Sequence, residues 1–266
     1  MVSSLLLSAL CAVVAAEDTW GPAVSFGPSK STIIRAITTV QPGKAPAQPH
    51  AGTIIEPRCT TNTTKHGEKK RTRPNAGFLT IWPGMSNGTG NLIQTTLESH
   101  EEGKPRCGEK TGEWCVMASV FGDFPGLRTK QIDAKSQGVV KGTDKITIEY
   151  RLEKDDMTWT QTVTNTATKA VLSKLSTRSE PYMRGYGTGV ECQHDCQGTI
   201  EPNYYTDTVI TFKSPEPKFE LHASGGLTNR TALYTTPVSE QGGRVWKVAK
   251  ITIPAMYDKP ICGGTA

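Results

Sequence analysis

The run Met157-Thr-Trp-Thr-Gln-Thr-Val-Thr-Asn165 alternates residue by residue. Met157, Trp159, Gln161 and Val163 fall on one side, and Thr158, Thr160, Thr162 and Thr164 on the other. Only extended chain sorts residues with a period of two. The run Lys145–Leu152 repeats the pattern, with Ile146, Ile148, Tyr150 and Leu152 opposite Thr147, Glu149 and Arg151. Both stretches are rich in β-branched and aromatic residues, which suit a half-buried pleated surface. No window carries a long helical period, and no long repeat is visible.

Similar runs follow one another from residue 78 onward. Strands are expected at Phe78–Trp82, Asn91–Glu98, Trp114–Phe121, Lys145–Leu152, Met157–Asn165, Ala170–Ser176, Tyr186–Cys192, Thr208–Phe212, Lys218–His222 and Val245–Ile253. Gly, Pro and Asn punctuate them. The expected fold is all-β, one antiparallel β-sandwich of jelly-roll type over residues 75–266. Residues 17–74 are rich in Pro, Gly, Ser and Thr. They read as an N-terminal arm with one edge strand, Ile33–Val40, and a basic loop.

Residues 1–16 hold the apolar run Leu5–Val14 with no charge, then small residues before Glu17. That is the pattern of a secretory signal peptide, which places the protein in the secretory pathway or outside the cell. The run is too short to span a bilayer, so no membrane span is expected. The cysteines fit the same compartment. Cys59, Cys107, Cys115, Cys192, Cys196 and Cys262 remain after the signal, an even set suited to disulfides. Connectivity is open. Proximity suggests Cys107 with Cys115, Cys192 with Cys196, and Cys59 with Cys262. His194 between Cys192 and Cys196 has no second ligand pair at metal spacing, so neither metal nor cofactor is expected. Asn62, Asn87 and Asn229 each begin an Asn-x-Thr glycosylation sequon in polar, turn-like sequence.

The net charge of +5 resides in residues 17–73, where nine basic and four acidic side chains leave 9 − 4 = +5. The run Lys65–Arg73 reads as a solvated loop, with Lys70-Arg71 a candidate processing site. No aromatic-basic interleaving or finger motif points to nucleic acid. An edge strand or the basic arm is the expected route to a homodimer.

Nucleophile elbows, phosphate loops and His-Glu-x-x-His are all missing. Glu153-Lys-Asp155 begins like a two-glutamate glycosidase strand, but Met157 and Thr158 stand where the second Glu is needed. What remains is an amide and a carboxylate on strands. Gln94 faces away from Ile93 and Leu97, beside Thr96. Glu191 follows Gly187-Thr-Gly189, where the missing side chains let a ligand or backbone approach. Tyr186 opens the same strand. Among the tryptophans Trp82, Trp159 and Trp246, some are expected to wall a binding face.

Several motifs together carry a resemblance. They are Leu79-Thr-Ile-Trp-Pro-Gly84, Asn91-Leu-Ile-Gln-Thr-Thr-Leu97, Glu113-Trp-Cys-Val-Met-Ala-Ser-Val-Phe-Gly122, Met157-Thr-Trp-Thr-Gln-Thr-Val163 and Gly187-Thr-Gly-Val-Glu-Cys192 with Gly198-Thr-Ile200. Over residues 75–256 the chain resembles secreted fungal proteins with a concanavalin-A-like β-sandwich. That group includes the hetero-Diels–Alderases of tropolone sesquiterpenoid biosynthesis. The resemblance implies a cofactor-free pericyclase whose partners are a tropolone quinone methide and a humulene-type sesquiterpene. In that role Gln94 donates a hydrogen bond, Glu191 or Tyr186 serves as acid or anchor, and Trp82, Trp159 and Trp246 form walls. The group also touches glutamic peptidases, which pair a strand Gln with a strand Glu; here Cys192 follows the Glu where those enzymes carry an aromatic residue. A carbohydrate-binding or polysaccharide-active protein is the third reading.

Overall fold

The computed structural model describes residues 19–46, 78–86, 88, 91–100, 104–124, 130–179, 183–193, 199–219 and 232–256. Fifteen strands build two antiparallel sheets. Sheet A runs β1 (Thr19–Phe26), β11 (Gly185–Gln193), β3 (Phe78–Ser86), β4 (Leu92–Ser99), β5 (Glu113–Phe121) and β6 (Gln131–Asp133), with β7 (Gly138–Lys141) also on β5. Sheet B runs β10 (Val171–Arg178), β9 (Thr158–Asn165), β8 (Ile146–Leu152), β2 (Ile33–Gln41), β12 (Asn203–Phe212), β15 (Val245–Ile253) and β13 (Leu233–Tyr234), with β14 (Val238–Glu240) on β15. The protein is the expected β-sandwich. No helix among the described residues is long and apolar enough to cross a membrane.

The inner faces meet in one core. Phe26, Ile33, Val40, Ile81, Ile93, Leu97, Val120, Ile148, Tyr150, Trp159, Val163 and Tyr205 have no exposed surface. In β8 and β9 the alternation seen in sequence is the alternation of burial, except that Met157 precedes its strand and is exposed, and Thr160 on the opposite side is buried too. Tyr150 and Gln161 place polar groups in the core through hydrogen bonds across the sheets. Tyr150 Oη donates to the Pro83 carbonyl at 2.7 Å and lies 3.1 Å from Thr95 Oγ1, and Gln161 Nε2 donates to the Ser119 carbonyl at 2.8 Å.

Four expectations need correcting. The N-terminal segment is no arm: β1 pairs β11, and Ile33–Gln41 is a central strand between β8 and β12. β3 does not stop at Trp82 but continues through Pro83 to Ser86. The β3–β4 ladder skips Trp82 and Pro83, which accommodates a residue with no N–H to donate. β12 begins at Asn203, five residues early; Asp207 within it takes a positive φ of 54°, and the register with β2 shifts between Thr206 and Val209. Lys218 lies in a turn rather than a strand. The signal peptide, the basic loop 65–73, Cys59, Cys196, Cys262, Asn62, Asn87 and Asn229 lie outside the described residues.

Candidate functional site

Residues directly opposite in antiparallel strands point to the same face, so register lays out the face of sheet A that turns away from sheet B. One row across this outer face is Gly187, Gly84, Gln94, Ser119 and Asp133. Two residues along each strand, Gly189 pairs Trp82, and Thr96 pairs Met117. The row after that is Glu191, Thr80, Glu98 and Cys115. Trp82 thus stands between the rows, with Gln94, Glu98, Gly187 and Glu191 on its diagonals.

An outward face ought to be wet, yet this one is covered. Gln94 is 8% exposed, Thr96 4%, Glu98 2%, Ser119 0% and Glu191 9%. Gly189 makes room against β1, since a Cβ there would lie 3.0 Å from the Ala23 Cβ, and it leaves the Trp82 indole at ordinary contact distance. Gly84 carries no side chain beside Gln94, where a Cβ would come within 2.8 Å of the Ile93 carbonyl oxygen. Gln94, Thr96 and Ser119 form a polar trio here, and two of its members, Thr96 Oγ1 and Ser119 Oγ, are buried with no hydrogen-bond partner among the described residues. Buried polar groups are normally paired, so these two hydroxyls beside an amide mark the place where a ligand's polar atoms fit.

One flank is built by the loop before β5. Cys107 and Cys115 form a disulfide with Cα atoms 5.5 Å apart, which seats residues 104–112 over β5. Arg106 reaches across that strand, donating from Nη1 to Glu98 Oε2 at 3.1 Å and from Nη2 to Asp133 Oδ2 at 2.5 Å. His100 lies between two carboxylates, with Nε2 2.9 Å from Glu98 Oε2 and Nδ1 2.7 Å from Glu109 Oε1. Burial alone would lower its pKa, but the hydrogen bonds and charges of Glu98 and then Glu109 outweigh it and raise the pKa above 6.5. With a carboxylate on each ring nitrogen, both nitrogens donate and the ring is an imidazolium. Glu109 moves oppositely. Burial favours its neutral form, yet backbone N–H groups of Cys107 and Arg106, with His100, hold its pKa below the usual range.

Glu98→Ala is expected to cost about 2–4 kcal/mol, because it strands His100 and Arg106 in a covered site; the lower end reflects Arg106 being partly exposed. Glu98→Gln, which keeps shape and one acceptor, is expected to cost about half as much. Urea denaturation of both variants near pH 6 measures the difference.

The other sequence-derived residues separate. Gln94, Glu191 and Trp82 share the outer face. Glu191 Oε1 accepts from Gln193 Nε2 at 2.9 Å. Tyr186 lies between the sheets at 1% exposure, opposite Met85, and burial raises its phenol well above the ordinary range. It faces away from Glu191. Trp159 is likewise a core residue of sheet B. Trp246 is also on sheet B, packing on Phe219 at 5.8 Å and donating to the Glu216 and Gly243 carbonyls at 3.1 Å. Of Trp82, Trp159 and Trp246, Trp82 is the one on this face. The sequence reading placed Thr96 beside Gln94 but missed Glu98 and Ser119, although the Gln94, Thr96, Glu98 alternation was the signal for the first. Cys192 is disulfide-bonded. His100, Glu109 and Cys115 cluster within 4.8 Å as a metal site might, but the disulfide occupies the Cys115 sulfur.

No family model and no curated protein matches this chain. Among solved structures, it is similar to scytalido-glutamic peptidase with a transition-state analog inhibitor: TM-score 0.45, 13% identity, covering 88% of this chain and 98% of that one. It is also similar to SCP-B of the eqolisin family in complex with the tripeptide Ala-Ile-His: TM-score 0.39, 13% identity, 88% and 98% covered. A legume lectin-like domain from Entamoeba histolytica aligns at TM-score 0.29 and 7% identity, over 94% of this chain and 100% of that one. These are likenesses of β-sandwich architecture.

Proposed function

We propose that the outer face of sheet A binds a conjugated, oxygen-bearing apolar ligand, and that the protein is a cofactor-free hetero-Diels–Alderase. In this reading it joins a tropolone quinone methide to a humulene-type sesquiterpene, as its sequence resemblance implies. The observation that carries the proposal is the covered trio Gln94, Thr96 and Ser119 beside the Trp82 indole, with the Thr96 and Ser119 hydroxyls unpaired among the described residues. A flat tropolone ring suits an aromatic wall. Its vicinal oxygens suit an amide N–H and neighbouring hydroxyls.

The cycloaddition forms one C–C and one C–O bond and releases nothing. The protein's task is to hold both partners in near-attack geometry, an effect that can reach several kcal/mol. Donors on the tropolone oxygens draw electron density from the heterodiene as the transition state forms. Glu191, at the far end of the site, is placed to protonate a leaving hydroxyl when the quinone methide forms from a hydroxymethyl precursor by loss of water.

Register also weighs against a peptidase-type dyad. Gln94 and Glu191 are two strands and four residues apart, so their Cα atoms are separated by about 16 Å at ordinary sheet spacings. That spans a ligand rather than one shared water. Purified protein lacking residues 1–16, mixed with a hydroxymethyl tropolone precursor and humulene, is expected to give a single-enantiomer dihydropyran faster than buffer does. Product at the buffer rate and racemic would overturn the proposal. Casein cleavage at acid pH, or selective binding on a glycan array, would put a hydrolase or a lectin in its place.

A further inference from the structure

His100 makes no contact with the trio, yet it belongs to the structure that shelters it. Its imidazolium ties β4, through Glu98, to Glu109 on the disulfide loop. Arg106, on the same loop, continues the tie to Asp133 on β6. Between these anchors the loop runs across β5, whose outward side chains Cys115, Met117 and Ser119 are fully buried. Gln94 and Glu98 stand directly across from Ser119 and Cys115. The loop is therefore the flank of the site on the Gln94 side, and its ties are charges.

We propose that His100 is a positioning residue for this site: by bridging Glu98 and Glu109 as a cation it seats the 104–112 loop beside Gln94 and Ser119, so that ligand is held best in mildly acidic medium. The proposal rests on the reading of the outer face as a ligand site, though its structural half can be tested without any ligand.

The charges around the ring set the direction. Glu98 on β4 and Glu109 on the loop face its two nitrogens, Arg106 lies beyond Glu98, and the Phe78 ring of β3 stands 5.7 Å away. A neutral imidazole keeps one N–H. It can donate to one carboxylate only and turns a lone pair on the other. Glu109 also accepts from the backbone N–H groups of Arg106 and Cys107, at 3.1 and 2.7 Å, so it loses least by giving up the ring. The bond to Glu109, the one that joins the end of β4 to the loop, is the one that breaks. The sign follows: a group whose pKa is raised on folding stabilises fully below its unfolded value, here 6.5, and the contribution is lost as pH rises through the raised value. Glu109, shifted down, bounds the window on the acid side.

The test uses amide hydrogen exchange of the full mature protein across about pH 5 to pH 9, corrected for intrinsic exchange rates. Residues 104–112 are expected to lose protection by about tenfold on the alkaline limb, as pH rises through the raised His100 pKa. His100→Gln should give a flat profile there, and Glu109→Gln, which leaves Glu98 and its partners intact, a weakened one. 2-Methoxytropone, a tropolone ether that does not titrate, serves as the ligand probe through Trp82 fluorescence. Its affinity should fall with the same midpoint in the wild type and not in His100→Gln. Protection of 104–112 that is independent of pH in the wild type, or unchanged pH dependence in His100→Gln, overturns the proposal. Loss of loop protection without any probe binding supports the positioning role and counts only against the ligand reading.

Discussion

Trp159→Ala is expected to destabilise the protein by about 3–5 kcal/mol, the range for removing a large aromatic side chain from a closed core. Trp159 has no exposed surface. It sits on the inner face of β9, opposite Leu152 of β8 and Thr177 of β10. Two sheets close over it, so the cavity left behind cannot collapse without moving a strand. For a chain of this size the loss corresponds to roughly 10 °C in Tm. Trp159→Phe separates packing from polarity. Trp159 Nε1 is buried with no hydrogen-bond partner among the described residues, and phenylalanine removes that group. The Phe variant should therefore lose well under half of what the Ala variant loses, because the relieved desolvation offsets part of the lost area. Thermal unfolding of both, followed by far-UV circular dichroism, decides. If Trp159→Ala unfolds within a degree or two of the wild type, Trp159 is not the core residue its burial makes it.

Much of the sandwich was legible because strands that pack on one side advertise a period of two. β8 and β9 lie next to each other in sheet B, and each gives up its inner face to inspection alone. β1 and the start of β12 were not legible for local reasons. Gly21, Pro22 and Gly27-Pro28 look like loop sequence, and β1 holds its place through pairing with β11, a partner far away in sequence. Residue parity was the unused clue within the site. Tyr186 and Glu191 are five apart on one strand, so they cannot share a face, and Trp159 shares parity with Val163, a core residue. Glu98 was hidden for a different reason. A glutamate at a strand end reads as solvated, and nothing in the local pattern shows that a disulfide loop folds back over it. Its partners His100 and Arg106 are close in sequence, but it is the Cys107–Cys115 bond together with the ties to Glu109 and Asp133 that brings the loop onto β5.

Trp82→Ala is expected to have the opposite signature from Trp159→Ala. Trp82 is half-buried on the outer face, and its loss opens onto a site rather than a closed core. Stability should fall by about 1–2 kcal/mol, the scale for a partly buried side chain. Turnover of the quinone methide and humulene pair should fall far more, by roughly a hundredfold. A wall that holds two apolar partners in register contributes to the transition state through orientation, and orientation losses of that size follow small misplacements. Gln94→Ala should cost less rate, about tenfold, since one neutral hydrogen bond is at stake, and it should erode enantioselectivity because the oxygens lose the donor that fixes them. The two variants therefore differ in kind. Trp82→Phe should restore most of the rate without the indole N–H, whereas Gln94→Glu, an acceptor in place of a donor, should not. A Trp82→Ala protein that folds and turns over at the wild-type rate would move the reaction away from this face altogether, and the unpaired Thr96 and Ser119 hydroxyls would then need a different ligand.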